Sequence, residues 1–373
     1  MIARLELQAW LRLLGTPGVG RAHARRLIAA FGSVETAVAA PLGALQELVG
    51  KAASDALSIV PGGLAAMVDA TLAWQRDGEG DCPPRAIIPV GDPRYPRQLL
   101  ETADPPLLLY AQGALDLLQS DTAIAIVGSR NPTPQGERTA HDFARNLGDA
   151  GWVIVSGLAL GVDAAAHEGA LASGQGTIAV VGTGLDRVYP KRHLDLAHRI
   201  SQAGLLLSEF PLGTPPLAAH FPLRNRVIAG LTKGTLVVEA ALQSGSLITA
   251  RLATEAGREV FAVPGSIHSP QSRGCHALIK QGAKLVETAQ DVMDEFEFQP
   301  LARVQSQPPS QSPHAADTDP LLDAMGHELV SLDALVARTG WSTQTINVRL
   351  LDLELSGRVA RRPGQLFQRI DAA

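Results

Sequence analysis

Six short apolar runs stand between residues 124 and 263, each ended by small or polar residues: Ile124–Val127, Trp152–Ser156, Thr177–Val181, Gly204–Ser208, Thr235–Glu239 and Glu259–Val263. Helical patterns fall between several of them, at Gly136–Ala150, Ala164–Ala172, His193–Gln202 and Ser246–Ala256. Strands this short and this uniformly apolar need cover on both faces, and intervening helices supply it. The alternation therefore predicts an α/β domain built on a doubly wound, mostly parallel sheet. In such a sheet, ligands bind where strands end and helices begin.

The first of those ends, "AIVGSRNPTPQGERTA", departs from the nucleotide-binding pattern. A dinucleotide turn would place a second and third glycine after the first, to let a pyrophosphate approach the backbone. Here Gly128 is followed by Ser129 and Arg130. Three more strand ends carry small polar clusters: Ser156-Gly157, Gly182-Thr183-Gly184, and Ser244-Gly245-Ser246 ahead of a helix with Thr249 and Arg251. Glycine and serine there leave N–H groups free to face an anion, and four such clusters favour a phosphate-lined edge.

The segment "HFPLRNRVIAGLTKG" adds cations, with Arg224 and Arg226 flanking Asn225, Phe221 before them and Lys233 after. On an extended piece the two arginines face one way; on a helix they diverge by about 200°. Guanidinium groups fork onto phosphate and an aromatic ring stacks on a base. The competing reading makes the arginines salt-bridge partners and Phe221 a core residue. No acidic residue lies between Glu209 and Glu239 to pair with them locally.

Catalytic constellations are weak. Asp163 and His167 lie four apart on a helix, a spacing that fits an acid–base pair but equally a helix-start carboxylate and a satisfied polar residue. Cys275 and His276 are adjacent, so on a helix their side chains diverge by about 100°. No P-loop, HxxxH or HExxH motif is present, and Cys82 and Cys275 form neither a CxxC pair nor a disulfide framework. No catalytic, metal or cofactor site is expected. With a formal charge of −5, any nucleic-acid contact must come from a local patch. The opening "MIARLELQAWLRLLG" carries charges within its apolar pattern, and no run reaches the ~20 residues of a membrane span, so a cytoplasmic protein without membrane insertion is expected.

Composition divides the rest. Residues 1–80 read as short helices in which "PGVGRAHARRLIAAFG" and "LVGKAASDALSIV" echo each other, a helix-hairpin-helix (SAM-like) unit whose glycine turns serve either a DNA phosphate or close helix packing. Residues 81–120 are proline-rich and read as a connector belonging to the central domain, 81–297. Residues 298–318 form a Pro/Ser/Gln linker. Residues 319–373 give three helices and a hairpin turning at Pro363-Gly364, a winged helix. Asp352 and Glu354 on its last helix oppose phosphate while Arg358, Arg361, Arg362 and Arg369 collect in the wing, leaving duplex binding and partner binding both open.

The motifs "AIVGSRNPTPQGERTA", "VSGLALGVDAAAHEGAL", "VVGTGLDRVYP", "LLLSEFPLGTPPLAAHFPLRNRVIAG" and "VVEAALQSGSLITARLATEAGREVFAVPGSIHSPQSRGCHALIKQGA", taken in order, resemble the DNA-processing protein A (DprA/Smf) family. The resemblance implies an extended Rossmann-like domain that binds single-stranded DNA and dimerises. It also implies a non-enzymatic role in natural transformation: protecting incoming strands and loading the RecA recombinase. By that resemblance, Gly128 to Arg130 and Phe221 to Arg226 line the strand pocket, and Arg130 holds a polymer's backbone phosphate where a dinucleotide fold holds pyrophosphate. Leu160 stands where many relatives carry a polar residue. A second reading, a hydrolase of the sugar–base bond in nucleoside monophosphates, rests on "LTKGTLVVEA", which keeps Gly234, Thr235 and Glu239 of a "PGGxGTxxE" loop but lacks its glycine pair.

Overall fold

A computed structural model of the chain describes residues 2–78, 82–296, 319–326, 329–362 and 366–370. Its centre is a nine-stranded sheet: β1 (Arg85–Pro89), β2 (Leu108–Gly113), β3 (Ala123–Val127), β4 (Val153–Ser156), β5 (Thr177–Val180), β6 (Leu205–Ser208), β7 (Gly234–Val237), β8 (Glu259–Ala262) and β9 (Lys284–Leu285). The spatial order is β1-β2-β6-β5-β4-β3-β7-β8-β9. All neighbours from β6 to β9 pair in parallel, while β1 and β2 close the other edge antiparallel. All six expected runs are strands. The chain winds outward from β3 to β6 and returns to β7 on the other side of β3, so the switch point lies between β3 and β7.

Helices cover both faces: α8 (Pro134–Asp149), α9 (Val162–Ser173), α10 (Leu194–Ala203), α11 (His220–Gly230), α12 (Gly245–Glu255), α13 (Arg273–Lys280) and α14 (Ala289–Glu295). The start of α8 is written in its sequence. The Thr133 hydroxyl accepts the Gly136 N–H at 2.9 Å and Pro134 occupies the first turn, where its missing N–H is harmless. Strands β3, β4 and β7 bury Ile124, Ile126, Ile154 and Leu236 against α8, α9 and α14.

The proline-rich connector differs from expectation by forming β1 and β2, with the short helix α7 (Arg97–Leu100) between them. The N-terminal helices are α1 (Arg4–Gly15), α2 (Arg21–Phe31), α3 (Val34–Val38), α4 (Leu42–Val49), α5 (Lys51–Ser58) and α6 (Leu64–Arg76). Their core runs without interruption into Ile87, Leu108, Tyr110 and Leu206 of the sheet, and Trp74 packs edge-on against Tyr110. Arg21 and Arg25 of α2 both pair with Asp104 of the connector, at 2.7 and 2.6 Å. The two cations that follow the first glycine hairpin are thus turned onto an internal carboxylate, while Gly18 and Gly20 themselves have open space around them.

Toward the C-terminus, α15 (Pro320–Met325), α16 (Leu332–Thr339) and α17 (Thr343–Leu355) enclose a small core with β10 (Val330–Ser331), β11 (Val359–Arg362) and β12 (Leu366–Arg369), the winged-helix arrangement. Ser331 and Ser342 cap α16 and α17, and Gly340 ends α16 in the left-handed region that glycine adopts without strain. The expected linker and the Pro363-Gly364 turn lie outside the described residues. Among the described residues no helix is long and apolar enough to cross a membrane.

Candidate nucleic-acid interface

The carboxyl rim of the sheet is organised by the loop after β4. Leu158 sits at φ 55°, a conformation costly for a branched side chain, and both its backbone groups are held by imidazoles. Its N–H donates to His167 Nε2 at 3.3 Å and its carbonyl meets His193 Nδ1 at 3.0 Å. Asp163 accepts the N–H groups of Gly157 (3.1 Å) and Ala159 (3.3 Å). Burial pushes the Asp163 carboxyl above its usual range, against the pull of Arg224 and these N–H donors. Asp163 and His167 therefore act as loop supports.

Beneath this loop lies Arg224. It is 5% exposed, and a Cβ on Gly157 would fall 1.5 Å from its Nη1, so only glycine leaves the guanidinium room. Its Nε has no partner, and among the described residues it makes no ion pair. Burial lowers its pKa to about 10; Asp163 opposes that fall, while the nearby Arg130 adds to it. A buried cation without a paired anion is unfavourable by itself and becomes favourable when an anion arrives.

Arg130 is exposed above it, with Cζ 5.7 Å from the centroid of Phe221. Phe221 is partly exposed and meets the half-exposed ring of Tyr189, centroids 5.6 Å apart and tilted by 37°. His220 stacks on Phe210 at 4.2 Å and meets the Gly182 carbonyl at 3.2 Å, fixing the start of α11 against the end of β5. Lys191 and Arg192, both exposed, follow Tyr189 in the segment that His193 ties to Leu158. Sequence reasoning passed over Arg187, Tyr189, Lys191 and Arg192, although "DRVYPKRH" carries the interleaving of cations and an aromatic that marks single-strand binding.

Other expected residues stand elsewhere. Since α11 is helical, Arg224 and Arg226 point apart. Arg226 bonds Glu209 and the Asp104 carbonyl, with its Nε 3.5 Å from the Asp104 carboxylate. It belongs to an internal ion network, not to the rim. Lys233 immediately precedes β7 and donates its N–H to Ala123 at the start of β3, which puts it at the amino end of the sheet. The Ser156 hydroxyl donates to the Ile126 carbonyl at 2.6 Å inside the sheet. Ser129 is buried and accepts the Asn131 N–H, shaping the turn that presents Arg130. Gly128 is pressed between Val162 and the Glu239 carbonyl. Asn225, next to Arg224, is partly exposed. Ser244 caps α12 by accepting the Ser246 N–H; Gly245 is exposed, and Ser244 opens on a groove beside Leu247, Ala277 and Leu278. Cys275 is buried, and burial pushes its thiol up to about 12.

Fold and rim together define a class: Rossmann-like proteins whose strand ends present cationic and aromatic side chains in place of a glycine-rich dinucleotide turn, flanked by a helical unit and a winged helix. The chain belongs to the DNA recombination-mediator protein A family, whose model matches residues 86–297. A DprA-like N-terminal HHH domain matches residues 5–66 and a DprA winged helix domain residues 305–365. Protein Smf of Escherichia coli is 44% identical over 303 residues, covering 80% of this chain and 79% of that protein. DNA processing protein DprA of Streptococcus pneumoniae is 52% identical over 207 residues, covering 56% of this chain and 73% of that protein. The X-ray structure of the Streptococcus pneumoniae protein superposes with a TM-score of 0.67 at 39% identity, covering 80% of this chain and 99% of that one. The Helicobacter pylori protein, whose structure concerns its single-stranded DNA binding mode, superposes at 0.52 with 33% identity, over 57% and 95% of the two chains.

Proposed function

We propose that this chain binds single-stranded DNA without reading its sequence and mediates recombination during natural transformation, as a carrier of the strand and not as an enzyme. One observation carries the reading: Arg224, buried and in no direct ion pair among the described residues, lies near an exposed Arg130 that is itself placed over Phe221. Arg130 and Arg224 hold a backbone phosphate, Phe221 and Tyr189 offer ring faces to unpaired bases, and Lys191 and Arg192 extend the phosphate track. Family membership and the Helicobacter pylori relative support the same ligand. The delivery of the strand to RecA and a homodimeric state belong to this proposal as well.

The decisive experiment is a fluorescence-anisotropy titration of labelled oligonucleotides. Wild type binds a single strand more tightly than the same sequence as duplex. Phe221→Ala weakens single-strand binding by about 1–3 kcal/mol, the worth of one stacked base. Arg130→Ala weakens it and flattens the log–log salt dependence by about 0.7 for each phosphate the variant leaves unneutralised. Equal affinity and equal salt slope for wild type and Arg130→Ala would remove the rim as the binding site.

A further inference from the structure

The position that a dinucleotide fold reserves for pyrophosphate is filled in this chain by one of its own carboxylates. β7 lies beside β3 across the switch point, with Val127 opposite Val237 and the Val238 N–H bonded to the Val127 carbonyl. Glu239 follows directly and reaches the amino end of α8, the 16-residue helix that β3 feeds. Its Oε2 accepts the Thr133 N–H at 2.9 Å and its Oε1 accepts the Thr133 hydroxyl at 2.6 Å. The same hydroxyl accepts the Gly136 N–H, so its proton is committed to Glu239. Gly136 has no side chain, and a Cβ there would stand 2.3 Å from Glu239 Cδ. The carboxylate is therefore seated against the first turn of α8, two oxygens and one negative charge where an anion gains most from the helix terminus.

We infer that Glu239 is a specificity-determining residue: it occupies the anion position at the amino end of α8 and thereby denies it to inorganic phosphate, mononucleotides and dinucleotides. A phosphate meeting this rim must then be held by side chains farther out. The hydrolase reading loses ground for the same reason, because the carboxylate that would do chemistry there is already engaged by Thr133. Exclusion of small anions by Glu239 does not depend on where a DNA strand lies.

The test uses the full chain and its Glu239→Ala variant, titrated calorimetrically with inorganic phosphate, AMP and NAD, with thermal melting to establish that the variant is folded. Glu239→Ala should gain binding of at least one probe by about tenfold or more, the scale of one charge-assisted hydrogen bond. Its single-strand affinity should match wild type, which separates this inference from the strand-binding reading. A folded variant with no gain overturns it, as does wild type binding AMP as well as the variant. If the variant does not fold, wild-type crystals soaked in phosphate decide: Glu239 still on Thr133 supports the inference, and phosphate displacing it overturns the inference.

Discussion

Arg226→Ala is expected to lower the free energy of unfolding by about 3–5 kcal/mol, the range for breaking a buried ion pair from one side. Its side chain is 13% exposed and that of its partner Glu209 is 6% exposed. Among the described residues, truncation leaves Glu209 with Arg21 as its one ion-pair partner, 3.6 Å away. Burial already pushes the Glu209 carboxyl above its usual range, so protonation relieves part of the penalty and places the loss toward the lower end. Glu209→Ala should destabilise less, because Arg226 keeps Asp104 as a partner, and the double variant should lose less than the two singles together. Urea unfolding followed by circular dichroism measures all three. The network also joins α2 to the central domain, since Arg21 and Arg25 hold the same Asp104 that faces Arg226. A variant as stable as wild type but defective in strand binding would return Arg226 to the phosphate track.

The contrast between Arg224 and Arg226 shows where sequence reading stops. Two arginines spaced by two are equivalent until the local conformation is known, and helix α11 makes them opposite. The partners that claim Arg226 are remote: Glu209 lies 17 residues away and Asp104 lies 122. No local inspection of charge can find them. Lys233 is different, because strand polarity alone places a residue preceding β7 at the end opposite the ligands. Arg130 was legible because a side chain had replaced glycines in a turn whose role follows from the fold.

Strands β3 to β8 were legible because burial on both faces writes them as continuous apolar runs. β1 and β2 were hidden among prolines, which ordinarily demote a strand. Proline is tolerated at Pro89 because it ends β1, and β1 is the edge strand of the sheet. The winged helix was legible as three helical stretches and a hairpin, and in the structure Ser331, Ser342 and Gly340 mark helix ends without reference to any tertiary neighbour.

Stability should fall by about 2–3 kcal/mol between pH 7 and pH 4.5 through His167 alone. Its ring is fully buried, and its hydrogen bonds assign one neutral tautomer. The Thr177 hydroxyl donates to the Ile154 carbonyl, so Nδ1–H of His167 donates to Thr177 at 2.9 Å, and Nε2 accepts the Leu158 N–H. A second proton would set Nε2–H against that N–H. Burial, reinforced by His193 and Arg224, pushes the His167 pKa down to about 3 from 6.5. The unfolded chain therefore binds the extra proton first, and stability present in full above 6.5 is lost progressively as pH falls toward 3. Buried Asp163, Glu209 and Glu239 act with the opposite sign, since their raised folded pKa values favour the fold as pH drops. A His167→Gln variant isolates the effect: less stable at pH 7, it should show a smaller loss between pH 7 and 4.5 in matched urea titrations. An unchanged pH slope in that variant would mean that the imidazole is not sealed from water and takes up its second proton in the folded state.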